Sequence, residues 1–364
     1  MANFKHSMIY IDASRCSNTT KRTGVENYSF YLINELVRRN GENITLLTPR
    51  KIDLKVRQRV IPFRRLWTIV RLSWEILRDR KIDNLFVPSH VLPLIHPKRT
   101  VITIHDVVYK YSPKSYSLPS RLYLNWATKF AVKHGAKIIT PSEATKQDLI
   151  HFYKAESKKI HVVPLGCEKP NRLPDPAKIR ELLDCYSLTA KKYFLYLGRI
   201  EYKKNTDTLI TAFQKFAEED KEIKLVLAGF AGHGGEKILK RIPPELKNRI
   251  LHIGYVGESE KNVLLRNALC FIFPSRFEGF GIPLLEAMHA GTPIIASDIP
   301  SSREVACEGA LYFNKDSNNG LSDLMKMAAI EANCLGQIVE KGSEIVKRYT
   351  WENCAKKVWQ IIST

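Results

Sequence analysis

The chain has 364 residues, 44% hydrophobic and 26% charged, with 57 Lys and Arg against 37 Asp and Glu. That length suits two α/β domains better than one core, and no run approaches the roughly 18 apolar residues of a membrane-spanning helix. Seven cysteines without a CxxC pair argue against a zinc site or disulfide framework and fit a reducing cytoplasm.

The charge excess is one-sided. Residues 1–166 hold 29 Lys and Arg against 12 Asp and Glu, whereas 167–364 hold 28 against 25. Such a field points to an anionic partner, whether nucleic acid, an anionic membrane surface or a phosphorylated substrate, unless it is simply a solvated basic surface.

The first apolar run, MIYID (8–12), reads as a strand rather than a signal peptide. Gly24 in KRTGVENYSFYLINEL then turns the chain into a helix over 25–39, whose N-terminus can face an anion. After the strand ITLLT (44–48) comes a basic stretch, Arg50 to Lys81, with eleven Lys and Arg against three acids, interleaved with Phe63, Trp67 and Trp74. Leu66, Val70, Trp74 and Leu77 share one helical face there. Two readings stay open: a core-packing helix with a basic outer side, or a membrane-surface helix drawn to anionic lipid.

The strand NLFVP (84–88) leads to His90, a candidate for an acceptor pocket. TVITIHD (100–106) places His105 and Asp106 at the end of a buried strand, a usual site for functional groups in open α/β sheets. The cluster 109–126 mixes Lys and Arg with tyrosines and would suit a lipid-linked acceptor. Cations beside aromatics also suit single-stranded nucleic acid, but no nucleic-acid motif accompanies them, so no nucleic-acid partner is expected. Strands at 137–140 and 160–164, with helices at 121–134 and 142–153, complete a parallel first domain, 1–166. The three prolines of CEKPNRLPDPAK (167–178) mark a linker.

The alternation restarts with strands at 193–198, 223–229, 250–254, 269–274, 293–297 and 310–313, giving a second domain over 167–349. In YLGRIEYKKNTDTLITAF, Arg199 and Lys204 lie between a strand end and a helix start, where a planar fork and a compact charge suit a pyrophosphate. Lys203 is the weaker neighbour. In SRFEGFGIPLLEAMHAGTPIIASD (275–298), Gly279 and Gly281 form a loop and Pro283 opens a helix. The amides of Phe280, Gly281 and Ile282 then face out of a helix N-terminus, while Glu278 and Glu286, seven residues intervening, serve different parts of one ligand. The last helix, 350–364, is expected to pack back on the first domain.

The E-x7-E of this segment, the Arg199 and Lys204 pair and the full-length alternation resemble the family 4 glycosyltransferases of GT-B fold: α/β, two facing Rossmann-like doubly wound domains with a cleft between them. The resemblance implies a retaining hexosyltransferase. Glu278 would touch the donor sugar and Glu286 the ribose hydroxyls. Backbone of Phe280, Gly281 and Ile282 would meet sugar and phosphate, Val256 the base, Arg199, Lys204 and Gly24 the diphosphate. His105 would lie near the reacting centre, with Asp106 and His90 on the acceptor side. Glu26 departs from the small residue often found there.

The stretches GRIEYKKNTDTLITAF and SRFEGFGIPLLEAM resemble bacterial mannosyl- or related transferases of surface-polysaccharide assembly. That implies a GDP-mannose donor, with UDP- or dTDP-sugars as alternatives, and a glycan or polyprenyl-diphosphate-linked acceptor at the inner membrane face. The chain contains no D-x-D, so no cofactor or metal is expected, and cations and helix dipoles would neutralise the diphosphate. A nucleotide-sugar epimerase of the same fold would lack these motifs together, and intact motif residues speak against a silent binding subunit.

Overall fold

A computed structural model of the chain describes residues 8–16, 23–63, 66–170 and 174–364, the side chains of 332–334 excepted. Two compact units emerge. One comprises Met1–Val107, Leu118–Gly166 and Tyr349–Thr364, the other Val108–Ser117 and Cys167–Arg348.

The first unit carries seven strands: β1 (Ile9–Asp12), β2 (Ile44–Thr48), β3 (Arg57–Val60), β4 (Asn84–Val87), β5 (Arg99–Thr103), β6 (Lys137–Thr140) and β7 (Ile160–Val162). They form one parallel sheet in the order β3-β2-β1-β4-β5-β6-β7. Helices cover both faces of such a sheet, so its inner strands read as unbroken apolar runs; β4 is buried at every position. Its edge needs no such run. The edge strand β3 is RQRV, half exposed, and no apolar signal marks it in the sequence.

The second unit carries β8 (Tyr193–Leu197), β9 (Lys224–Ala228), β10 (Ile250–Gly254), β11 (Cys270–Phe273), β12 (Ile294–Ser297) and β13 (Leu311–Phe313). Its parallel order is β10-β9-β8-β11-β12-β13. Phe194, Phe213, Phe216 and Ile272 centre its core. In each sheet the order reverses once, beside β1 and β4 and beside β8 and β11. Open α/β sheets hold ligands at that switch point, outside the strands' C-terminal ends.

The C-terminal helix Trp351–Ile362 belongs to the first unit. There Trp351 stacks on Tyr31 at 5.4 Å, Arg39 pairs with Glu352 at 2.6 Å, and the Asn84 amide donates to the Ile362 carbonyl.

Three sequence expectations need correction. The first domain is not continuous over 1–166, because Val108–Ser117 groups with the second unit. Tyr111 stacks on Phe277 (4.6 Å, 13° between planes), and the Lys203 ammonium lies over the Tyr116 ring. Half of the 109–126 cluster thus belongs to the second unit. Strand β5 stops at Thr103, so His105 and Asp106 follow it rather than end it.

The core-packing reading of the Leu66, Val70, Trp74 and Leu77 face also fails, since all four are exposed. The opposite residues, Trp67, Leu72 and Ile76, are the buried ones, on a π-helical turn (Trp67–Leu72) that runs into a short α-helix (Ser73–Arg78). Of the basic stretch, Arg64 and Arg65 lie outside the described residues, as do residues 171–173 of the linker. No helix among the described residues is long and apolar enough to cross a membrane.

Candidate functional site

In the second unit, the segments that follow β8 and β11 flank the switch point. Strand β8 is followed by Gly198, whose φ of +152° few side chains tolerate; a Cβ there would also press on the Tyr196 hydroxyl at 2.8 Å. That hydroxyl donates to the Arg199 carbonyl (2.7 Å) and fixes the turn from which Arg199 emerges. Lys204 closes a short 3₁₀ turn, Tyr202–Lys204, before the helix Thr206–Glu219.

After β11 comes Ser275, then Glu278, then Gly281 at φ +114°, where the helix Ile282–Ala290 begins. Pro283 sits in its first turn and Glu286 one turn inside. Phe280 is buried, so its ring anchors the loop while the helix start carries the backbone amides.

The fold brings Lys204 and Glu278 together. The ammonium donates to Oε1 of the carboxylate, which also accepts the Ser275 hydroxyl at 2.8 Å. Glu286 has its own cation: the Lys261 ammonium donates to Oε1 at 2.6 Å and lies 2.9 Å from Glu258. Burial opposes the Lys261 charge, but the two carboxylates outweigh it and raise its pKa. Lys261 stands on the helix Glu258–Asn267, which follows Val256 in the loop after β10. Arg199 joins neither pair. It reaches Glu201 at 3.7 Å with most of its side chain exposed, whereas Lys203 is held by Glu201 (3.3 Å) and the Tyr116 hydroxyl (3.2 Å). Of the neighbouring cations, Arg199 is therefore the one presented outward.

Four residues of this site are missed by the sequence reading. Arg276 clamps the two segments, forking onto Asp207 (2.9 and 3.1 Å) and donating to the Tyr202 carbonyl (2.6 Å). Glu201, Lys261 and Ser275 hold Arg199, Glu286 and Glu278. Arg276 and Ser275 stand inside the motif itself; the other two have no signal beyond charge near it.

In the first unit, His105 is buried against Tyr28 (ring centroids 4.6 Å) and His90 (5.4 Å). Its Nε2 lies 3.3 Å from the Pro88 carbonyl, which can only accept, so Nε2 carries the proton and Nδ1 is left as an acceptor. The His105 amide donates to His90 Nδ1 (3.3 Å), which puts the His90 proton on Nε2. Burial, then the neighbouring His90, lowers the His105 pKa to about 3, and burial also lowers that of His90. Asp106 opposes both shifts without reversing them. The pair is two neutral imidazoles with defined tautomers.

Gly24 opens the helix Gly24–Asn40 with no atom within 4 Å of where a Cβ would stand, so packing does not require glycine there. The Glu26 carboxylate takes the Thr23 amide (2.8 Å) and hydroxyl (2.9 Å), which explains an acid at this position: the helix start carries its own anion.

Comparison with known proteins follows these two units. Residues 22–168 match the family described as Glycosyltransferase Family 4, and residues 187–329 the family described as Glycosyl transferases group 1. The chain is 26% identical to O-antigen chain mannosyltransferase B of Escherichia coli, over 78% of this chain and 74% of that protein. It is 28% identical to the O-antigen chain mannosyltransferase RfbU of Salmonella typhimurium, over 74% and 70%. Among solved structures, Anabaena Alr3699/HepE in complex with UDP and glucose superposes with a TM-score of 0.73 at 15% identity, covering 99% of this chain and 100% of that one. At that identity the likeness concerns the fold, which is of the GT-B class.

Proposed function

Since the chain belongs to the family 4 glycosyltransferases, we propose that it moves mannose from GDP-mannose to a hydroxyl of a glycan or polyprenyl-diphosphate-linked oligosaccharide, with retention and without a metal. The observation that carries this reading is the Lys204–Glu278 pair at the switch point of the second sheet, with Glu286, paired to Lys261, one turn inside the helix that follows. A cation and a carboxylate in contact suit the two halves of one bond. Glu278 meets the sugar, while Lys204 and the outward Arg199 take the charge that grows on the departing diphosphate. Glu286 takes the ribose hydroxyls, Val256 the base, and the amides of Phe280, Gly281 and Ile282 a phosphate oxygen. The likeness to two O-antigen mannosyltransferases supports mannose as the sugar.

Retention follows from a same-face displacement in which the departing phosphate accepts the acceptor proton. A glycosidase-type double displacement needs a second carboxylate about 5–5.5 Å from the acid, and the motif offers none beside Glu278. His105, neutral at working pH, acts by hydrogen bonding to sugar or acceptor rather than as a charged acid, with Asp106 and His90 beside it and Gly24 on the phosphate. The exposed face of Leu66, Val70, Trp74 and Leu77, with Arg71 beside it, supports a peripheral position on an anionic membrane, at its cytoplasmic side.

The test is turnover of GDP-mannose, UDP-glucose and dTDP-sugars with a lipid-linked acceptor, read by mass spectrometry, with and without EDTA. Transfer from GDP-mannose alone, with an α-linkage and undiminished in EDTA, is expected. Transfer from a UDP-sugar alone overturns the donor, a β-linkage overturns retention, and loss in EDTA restored by Mn²⁺ overturns metal independence. Nucleotide binding without any transfer would make the chain a silent subunit.

A further inference from the structure

The first unit holds a cavity of about 1090 Å³ at the C-terminal sheet edge, apart from His105. Its floor is formed by Ser14, Thr48 and Ser89, which lie at or just past the ends of β1, β2 and β4. Phe63, Trp67, Ile69 and Tyr123 give the lining its aromatic and apolar surface. Trp67 is fixed in place. It is 7% exposed and donates from Nε1 to the Ile61 carbonyl, while Thr68 donates to Asp12, whose other oxygen holds the Ser14 amide.

The lining also includes Arg15, Arg50 and Lys51. All three are exposed, and none makes an ion pair among the described residues. Among the described residues, the lining contains no Asp, Glu, Asn, Gln or His. A sugar site depends on carboxylates and amides that share hydroxyl hydrogen bonds, so this lining is wrong for a bare glycan. Three cations without an ion pair and four aromatic or apolar side chains in one lining call for an anion joined to a hydrocarbon. The volume, just above the roughly 300–1,000 Å³ of ordinary ligand sites, leaves room for both.

We propose that this cavity binds the diphosphate and proximal hydrocarbon of an isoprenoid-type lipid diphosphate, the anchor of the acceptor. Arg15, Arg50 and Lys51 hold the diphosphate, and Phe63, Trp67, Ile69 and Tyr123 hold the chain. Ser89 and Val91, both in the lining, flank His90 in the chain, and His90 Nδ1 accepts from the His105 amide, so an anchored lipid lies beside the histidine pair. This assignment rests on the glycosyltransferase reading but uses residues that the donor site does not.

The experiment titrates the whole protein with farnesyl diphosphate, farnesol and inorganic pyrophosphate, read by calorimetry, with GDP titrated in parallel. Three proteins are compared: wild type, an Arg15→Gln/Arg50→Gln/Lys51→Gln variant, and an Arg199→Ala/Lys204→Ala variant. Farnesyl diphosphate is expected to bind wild type at least tenfold more tightly than either farnesol or pyrophosphate. The triple variant should lose that binding tenfold or more while keeping GDP affinity, which also shows that it is folded. The donor-cation variant should do the reverse.

Pyrophosphate binding as tightly as farnesyl diphosphate would overturn the proposal in favour of an anion site, and farnesol doing so in favour of a greasy slot. Farnesyl diphosphate lost in the Arg199 and Lys204 variant, but kept in the triple variant, would place it in the donor site and also overturn it. Displacement of farnesyl diphosphate by an equal concentration of oligo-dT would make the cavity a nucleic-acid site. Wild type that binds GDP and ignores farnesyl diphosphate refutes this proposal alone; wild type that binds no nucleoside diphosphate refutes the transferase reading.

Discussion

Removing the charge of Glu278 should tighten nucleotide binding while slowing transfer. Its carboxylate holds the Lys204 ammonium, and both side chains keep some solvent, about a quarter of Lys204 and a sixth of Glu278. A diphosphate that needs Lys204 must share it with Glu278 or displace it, and Glu278 itself repels the phosphates. Exposed ion pairs are worth about 0.2–1 kcal/mol and charge-assisted hydrogen bonds about 1.5–3, so a coupling on the order of 1 kcal/mol is expected for this half-screened pair. Glu278→Gln should therefore bind GDP about fivefold more tightly, and Lys204→Ala about ten- to a hundredfold more weakly.

The double variant should recover part of the Lys204→Ala loss, because the unpaired carboxylate is gone too. Turnover should fall in both single variants, by about 10²–10³ for Lys204→Ala, the equivalent of roughly 3–4 kcal/mol of transition-state stabilisation. Calorimetry with GDP and a stopped assay of sugar transfer measure the two effects separately. Lys204→Ala with unaltered GDP affinity and turnover, or a cycle with no coupling, would refute the assignment.

The two tryptophans of the basic stretch should behave differently. Trp74→Ser, on the exposed face, should lower binding to phosphatidylglycerol vesicles and leave stability within about 0.5 kcal/mol. Trp67→Ser, buried and hydrogen-bonded to Ile61, should cost about 3–5 kcal/mol; sedimentation and chemical denaturation check both, and undiminished vesicle binding by Trp74→Ser refutes the membrane role. His105 gives a pH prediction. Its folded pKa of about 3 lies below the unfolded value near 6.5, so the unfolded state binds the extra proton, and the stability it contributes is present above pH 6.5 and lost as pH falls towards 3. The stability difference between wild type and His105→Asn should shrink by about 1.4 kcal/mol per pH unit below 6.5, as read by urea melts between pH 7.5 and 5; a pH-independent difference would mean a solvated imidazole.

The inner strands were legible because parallel strands are buried on both faces and their residues need no alternation. ITLLT and YFLYL announce β2 and β8 without reference to anything distant. Strand β3 was not legible, since an edge strand needs only a backbone ladder to β2, and Arg57, Gln58 and Arg59 supply that while their side chains reach solvent. The basic helix misled for a related reason. Leu66, Val70, Trp74 and Leu77 form an apolar stripe, and periodicity identifies a stripe without saying what covers it. The π-helical turn over Trp67–Leu72 changes the angular step that a 3.6-residue wheel assumes, which places Leu72 and Ile76, not Val70 and Trp74, against the core.

The site divides along the same line between local and distant information. Gly281, Pro283 and Glu286 are neighbours in sequence, and the helix that starts at Ile282 fixes their relation, so the motif can be read in one dimension. What decides the charge at the site comes from elsewhere in the chain. Lys261 reaches Glu286 from a helix 25 residues earlier, and Lys204 reaches Glu278 across 74 residues. Arg276 looks like one more loop cation until Asp207, 69 residues away, takes both arms of its guanidinium. A cation count near a motif therefore overstates the charge available to a ligand. Of Arg199, Lys203, Lys204 and Arg276, three have carboxylate or phenol partners that a diphosphate must compete with, and Arg199 alone holds its partner loosely. The first contact with an incoming donor phosphate should accordingly fall to Arg199, and Lys204 should follow only as Glu278 exchanges its ammonium partner for the sugar.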